Sequence, residues 1–272
     1  MFVNNMNNVD SFSNKPNLKG NYNIIISGQS IAQGQYSLAQ SNYSNDKIFN
    51  TGAKYLECKS STHVWQTFRN EMMSPYQYVS DYSWGCGMEY SLAKHFTDLG
   101  HSLNIYKPAW GGQKFGTDSS PGKFHISSDG NTLGEISQDI ISVMNTQKVN
   151  GVSFDYFLWM HGESDGRDAL DSRNAYETNL RRFISKIRTI QPNIPFLIRQ
   201  LPSETETWMG AVNIGGREAI NMAIENIISD TPNCYLVVMP TPFSQGDLIH
   251  PSNPIGNDQM ALAFWEELKV KL

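Results

Sequence analysis

Short apolar runs recur along the chain at Asn23–Ser27, Ser102–Tyr106, Phe154–Met160, Pro195–Leu201 and Cys234–Met239. Between them the apolar residues change period. Over 87–99, Met88, Leu92, Ala93 and Phe96 share one helical face, and Gly100 follows as a C-terminal stop. Thr132-Leu133-Gly134-Glu135 has the form of a capping box and opens a helix carrying Ile136, Ile140, Ile141 and Met144. The clearest helix covers about 174–190, with Tyr176, Leu180, Phe183, Ile184, Ile187 and Ile190 in register, and Pro192 ends it. Two more helices are predicted at about 215–229 and about 256–270. Continuous apolar strands that alternate with amphipathic helices need cover on both faces. The pattern therefore predicts an α/β fold, a three-layer α/β/α sandwich around a five-stranded parallel sheet with right-handed crossovers.

Two stretches escape the pattern. Residues 1–20 are rich in Asn and Ser and read as a flexible N-terminal arm, leaving 21–272 as one domain. Residues 35–83 have weak periodicity and many Ser, Asn, Tyr and Trp, too long for a plain loop, so a functional role or irregular structure is expected there. The loop at 108–130 is rich in Gly, Ser and Asp.

Composition narrows the function classes. The 272 residues are 39% hydrophobic and 17% charged, with a net charge of −5. That balance is globular and argues against nucleic acid as partner. No run approaches the ~20 apolar residues that span a bilayer, so no membrane role is expected. No signal peptide is visible, and the chain reads as soluble; a secreted, cell-surface or virion-associated setting stays open. Cys58, Cys86 and Cys234 form no CxxC pair and suggest neither disulfides nor zinc, with Cys234 a small core residue.

The candidate chemistry sits at strand ends. Ile24-Ile25-Ile26 runs through Ser27-Gly28-Gln29 to Ser30, a serine on a turn. A serine hydroxyl becomes a nucleophile only when a base takes its proton. Histidine suits that task, and a carboxylate then fixes its tautomer. Asp247 and His250 stand three apart just ahead of the last helix, where a carboxylate can reach the near ring nitrogen. Read alone, Asp247 is an N-cap and His250 a surface histidine; read alone, Gly28-Gln29-Ser30 is a turn. Parallel sheets bind ligands beyond the carboxyl ends of their strands. Ser30, Trp110–Gln113, His161–Asp165 and the Asp247/His250 loop all follow strand ends, so the topology gathers them on one rim. His161, Glu163 and Asp165 alternate along the segment in the manner of metal ligands, yet no second cluster accompanies them, so no metal and no cofactor is expected. His63, His95, His101 and His125 read as surface or helix residues, with His125 in a loop within reach of the rim. The arginines on the 174–190 helix read as a solvated face.

The order of these blocks resembles the SGNH hydrolases, and more narrowly the sialate O-acetylesterase and acetylxylan-esterase-like carbohydrate esterases, from about Asn23 to the C-terminus. The blocks are Gly28-Gln29-Ser30-Ile31, Gly87-Met88-Glu89, Trp110-Gly111-Gly112-Gln113, Trp159-Met160-His161-Gly162-Glu163-Ser164-Asp165 and Asp247–Pro251. The resemblance implies an SGNH, flavodoxin-like sheet and a Ser30–His250–Asp247 triad. It also implies an oxyanion hole from the Ser30 and Gly112 amides and a side-chain donor. Gln29, Gln113 and Glu163 are implied as supporting or substrate residues. Two positions depart from the family pattern: Ile31 stands where Asn is usual, and His161 where Gln is usual. His161 is expected as that side-chain donor in the oxyanion hole, the alternatives being support behind the site or pocket lining, with Glu163 and Asp165 bracing the loop. The implied function is removal of O-acetyl groups from a carbohydrate through an acyl-enzyme, with an acetylated glycan as partner. Two alternatives remain at this level. One is a lipid, aryl or thio-ester hydrolase on the same scaffold; the other is a glycan-binding or attachment module of a larger assembly whose esterase site has decayed.

Overall fold

The computed structural model describes residues 20–34, 54–56, 65–67, 87–168, 170–205, 215–243, 249–252 and 255–272. Residues 1–19 of the predicted arm, most of 35–83 and Asp247 lie outside the described residues.

The five predicted strands form the body of one sheet: β1 (Asn21–Gly28), β4 (Ser102–Tyr106), β7 (Tyr156–Met160), β8 (Phe196–Arg199) and β9 (Cys234–Val237). Two short strands, β2 (Lys54–Leu56) and β3 (Trp65–Thr67), extend it to the order β3-β2-β4-β1-β7-β8-β9. All pairings are parallel except β2 with β3. The long segment read as irregular therefore lends two strands to the sheet edge. Three residues each give too little alternation to be seen in sequence. A separate hairpin, β5 (Gly116–Thr117) with β6 (Ser120–Pro121), stands in the loop after β4.

Each buried strand presents alternate residues to two apolar layers. Ile24, Ile26 and Leu158 pack with α2 (Glu89–Asp98) and α7 (Ile255–Lys269), against Leu92, Phe96 and Phe264. Ile25, Phe157 and Trp159 pack on the other face with α3 (Glu135–Val149), α5 (Leu170–Ile190) and α6 (Gly216–Asp230), against Ile140, Phe183 and Ile224. Each such buried side chain contributes about 1.5–3 kcal/mol. Cys234 is a buried free thiol in the second layer, as its apolar surroundings in sequence suggest.

Helix ends test the capping arguments individually. Gly100 closes α2 at φ +79°, with its amide on Thr97 O at 2.8 Å and the His101 amide on Phe96 O at 3.0 Å, a Schellman motif. The capping box at Thr132 does not form. Gly134 is the N-cap of α3, and no side chain caps the helix. Thr132 is instead engaged in a turn, its amide on Ser127 Oγ at 2.9 Å, and Glu135 pairs with Lys123 at 2.6 Å. His101 and His125 are buried rather than superficial; His125 Nε2 lies 3.1 Å from Asp118 at the tip of the β5–β6 hairpin. Arg181, Arg182 and Arg188 of α5 do lie partly exposed, Arg181 in contact with Glu177 and Asp230. No helix among the described residues is long and apolar enough to cross a membrane.

Candidate active site

β1 is the switch point of the sheet. The chain goes from β1 to the strands on one side, then crosses to β7 on the other. A crevice opens where neighbouring connections diverge in this way. At the end of β1 the backbone must pass against β7. Gly28 has φ +141°, and a Cβ there would lie 1.8 Å from Met160 O. Only glycine fits, and this close approach lets the Gln29 amide bond Met160 O at 3.0 Å. The chain then turns directly into a four-residue helix, α1 (Ser30–Gln33), with the serine at its first position.

His250 meets it there. Its Nε2 lies 2.9 Å from Ser30 Oγ, across 220 residues of sequence, and both residues are nearly buried. Among the described residues this is the contact that joins the two ends of the chain at the crevice. Asp247, expected behind His250, lies outside the described residues.

The two flanking loops are tied to the same turn. After β4, Ala109 bridges Gly28, the Trp110 amide bonds Gly28 O at 3.0 Å, and the Gly111 amide bonds Gln33 Oε1 at 2.8 Å. Ser27 Oγ adds a bond to Pro108 O at 2.6 Å. Gly112 follows in this loop, exposed, and Gln113 is half-buried beside it. Trp110 is also half-buried, with the Lys123 ammonium 4.6 Å from its ring centre. After β7, Gly162 takes φ +125° where a Cβ would meet Ile220 at 2.7 Å, and the chain enters α4 (Glu163–Arg167), a short helix where a loop was expected. The Ser164 amide bonds Gln29 Oε1 at 3.3 Å.

His161 continues the inward face of Phe157 and Trp159, so its ring points into the layer beneath the crevice. It is fully buried, stacked on Trp159 at 5.0 Å between centroids and enclosed by Phe115, Phe124 and Tyr176. Burial pushes its pKa down to about 3, opposed by the Gln113 backbone oxygen, and among the described residues neither ring nitrogen has a partner in hydrogen-bond geometry. Asp165 lies 3.5 Å away, accepts the Phe115 amide at 3.2 Å, and is pushed up to about 8, again by burial. A neutral imidazole therefore faces a protonated carboxyl at neutral pH. Glu163 makes a buried contact with Arg199, the last residue of β8. Because 163–167 is helical, Glu163 and Asp165 do not alternate with His161, and no group of metal-ligating side chains occurs among the described residues.

Three supporting residues escaped the reading of the sequence: Gln33, Lys107 and Arg199. Lys107 is buried with Glu89, its Nζ 2.5 Å from Oε1, and Glu89 also accepts the Gly87 amide at 3.0 Å. The available signal was positional: Lys107 and Arg199 are cations directly at the carboxyl ends of apolar strands, where burial demands a partner.

Solved structures show the same fold at low identity. A protein from Arabidopsis thaliana is 15% identical with a TM-score of 0.63, covering 92% of this chain and 98% of that one. NanS is also 15% identical at a TM-score of 0.62, with 91% and 98% covered. A carbohydrate acetylesterase from Xanthomonas citri is 13% identical at 0.60, covering 89% of this chain and 54% of that one. No curated relative matches the chain in sequence. The family described as carbohydrate esterase, sialic acid-specific acetylesterase, matches residues 21–250, a span that runs from the first residue of β1 to the histidine facing Ser30. A match of that extent makes the chain a member of the sialic acid-specific acetylesterase family of carbohydrate esterases, and so a carboxylic ester hydrolase.

Proposed function

We propose that the chain removes O-acetyl groups from a carbohydrate by two-step acyl transfer on Ser30. The observation that carries this reading is the 2.9 Å approach of His250 Nε2 to Ser30 Oγ at the switch point of the sheet. In the first step Oγ bonds to the ester carbonyl carbon while His250 takes its proton. The tetrahedral intermediate then expels the sugar oxygen, which receives that proton. Water attacks the acetyl-serine with His250 again as base, and acetate leaves. Asp247 is assigned the orienting carboxylate, on its spacing from His250.

Negative charge on the carbonyl oxygen is met by the backbone amides of Ser30 and Gly112. Such a donor is typically worth about 3–4 kcal/mol of transition-state stabilisation. For His161 we favour support from below over the role of third donor. Its ring is wholly enclosed by aromatic side chains on the inner face of the sheet. Gln29 holds the α4 turn, Glu163 anchors it to β8, and Gln113 lies against His161. The loop carrying Trp110 and Lys123 borders the crevice and is the candidate wall for the acetylated glycan.

Ser30→Ala, assayed with a chromogenic acetate ester, should lose turnover by several orders of magnitude; unchanged turnover would sink the triad. Acetate release across a panel of acetylated glycans, O-acetylated sialic acids included, identifies the sugar.

A further inference from the structure

We infer that Gln33 is a positioning residue for the reaction, the group that sets the orientation of the oxyanion loop. The inference rests on the proposed Ser30 and Gly112 roles. α1 is a single turn, too short to be stable by itself. Its first residue is the nucleophile and its last is Gln33. Gln33 is buried at 2% exposure and held at two points. Its side-chain oxygen accepts the Gly111 amide at 2.8 Å. Its backbone oxygen lies 3.4 Å from the Lys107 ammonium, which Glu89 fixes in turn.

Along the loop, successive amides thus have distinct destinations. The Trp110 amide goes to Gly28 O and the Gly111 amide to Gln33 Oε1. The amide that follows, of Gly112, is the one assigned to the oxyanion. The Gly111 amide belongs to the peptide just before the one that carries the Gly112 amide, so holding it anchors the start of the turn from which the Gly112 amide projects, and the Gln33 side chain ties the serine turn to the oxyanion loop. Ile31, the other candidate on this turn, is packed in the apolar layer and has no polar atom to offer. Without an acceptor at position 33 the Gly111 amide turns elsewhere and carries the Gly112 amide with it. Substrate binding away from the carbonyl is untouched, so the loss should fall on kcat.

Gln33→Met keeps the length and removes the acceptor; Gln33→Glu keeps an acceptor oxygen. Losing an oxyanion donor outright costs about 10²–10³-fold in kcat. Gln33→Met should lose about 10–100-fold in kcat, with KM within about 2-fold, since the donor is displaced rather than deleted. Gln33→Glu should recover most of that. Affinity for a boronic acid, which forms a tetrahedral adduct on serine, should fall in parallel with kcat in Gln33→Met. If Gln33→Met does not fold, Gln33→Ala supplies the same comparison. Wild-type kcat in the acceptor-less variant overturns the inference, as does equal loss in the Met and Glu variants with boronate affinity unchanged. If Ser30→Ala keeps turnover, the triad itself fails; if Ser30→Ala is inactive while Gln33→Met is normal, only the role of Gln33 fails.

Discussion

Breaking the Glu163–Arg199 pair should be among the most destabilising polar substitutions in this chain. Both side chains have no solvent exposure. Burial lowers the Arg199 pKa to about 9, so the guanidinium stays charged at neutral pH. Arg199 Nε and Nη1 and Glu163 Oε2 have no further partner among the described residues, so each charge depends on the other. At an effective dielectric of about 20, unit charges 4 Å apart attract by about 4 kcal/mol. Removing one member of a buried pair typically costs about 3–5 kcal/mol, because the remaining charge is stranded. Arg199→Met and Glu163→Gln should each lose that amount. In a domain of this size the midpoint Tm falls by about 2–4 °C per kcal/mol. The double variant strands no charge and should recover most of the loss, giving a large coupling energy in the double-mutant cycle. Urea unfolding with m unchanged reads all three. Single variants that lose less than about 1 kcal/mol, the range of exposed pairs, or losses that simply add in the double, would refute the reasoning.

Asp165 keeps its proton to about pH 8 in the folded chain against 3.8 as its ordinary value. Folding therefore takes up a proton between those values, and stability falls as pH rises through about 8. Asp165→Asn, which can still accept the Phe115 amide, should flatten that slope in thermal melts between pH 6.5 and 8; an unaltered slope would count against it. His161 stays neutral down to about pH 3 against an ordinary 6.5, so its contribution is lost as pH falls across that window. His161→Gln should resist acid unfolding better. It should also leave the acid limb of kcat/KM in place, since a histidine already neutral there cannot produce it; a limb that moved with this substitution would reassign the base. Gly28→Ala places a Cβ 1.8 Å from a backbone oxygen at φ +141°. It should lose more than about 4 kcal/mol, seen as failure to fold by circular dichroism.

The alternation of apolar runs and amphipathic helices was enough to predict the layers and the parallel sheet, because burial on both faces leaves a periodic trace in each segment. Strands β2 and β3 left no such trace, being three residues each, and the Thr132 box misled because a local pattern yielded to the turn with Ser127. Ser30 and His250 were legible as residue types at strand ends. Their meeting was not, since no sequence pattern carries a distance across 220 residues. The same holds for Gln33, Lys107 and Arg199, whose partners lie on other elements and whose burial follows only from the packed sheet. His161 shows the division most plainly. Its position in an ordered block marked it for the site, but the side of the sheet it faces is set by the register of β7, which turns its ring into the aromatic layer with Trp159. Sequence by itself determined the five main strands, the long helices and the residues that follow the strand ends, because those are local matters of period and turn. Tertiary structure decided which of those residues touch, because contact depends on register, twist and closure of the whole sheet.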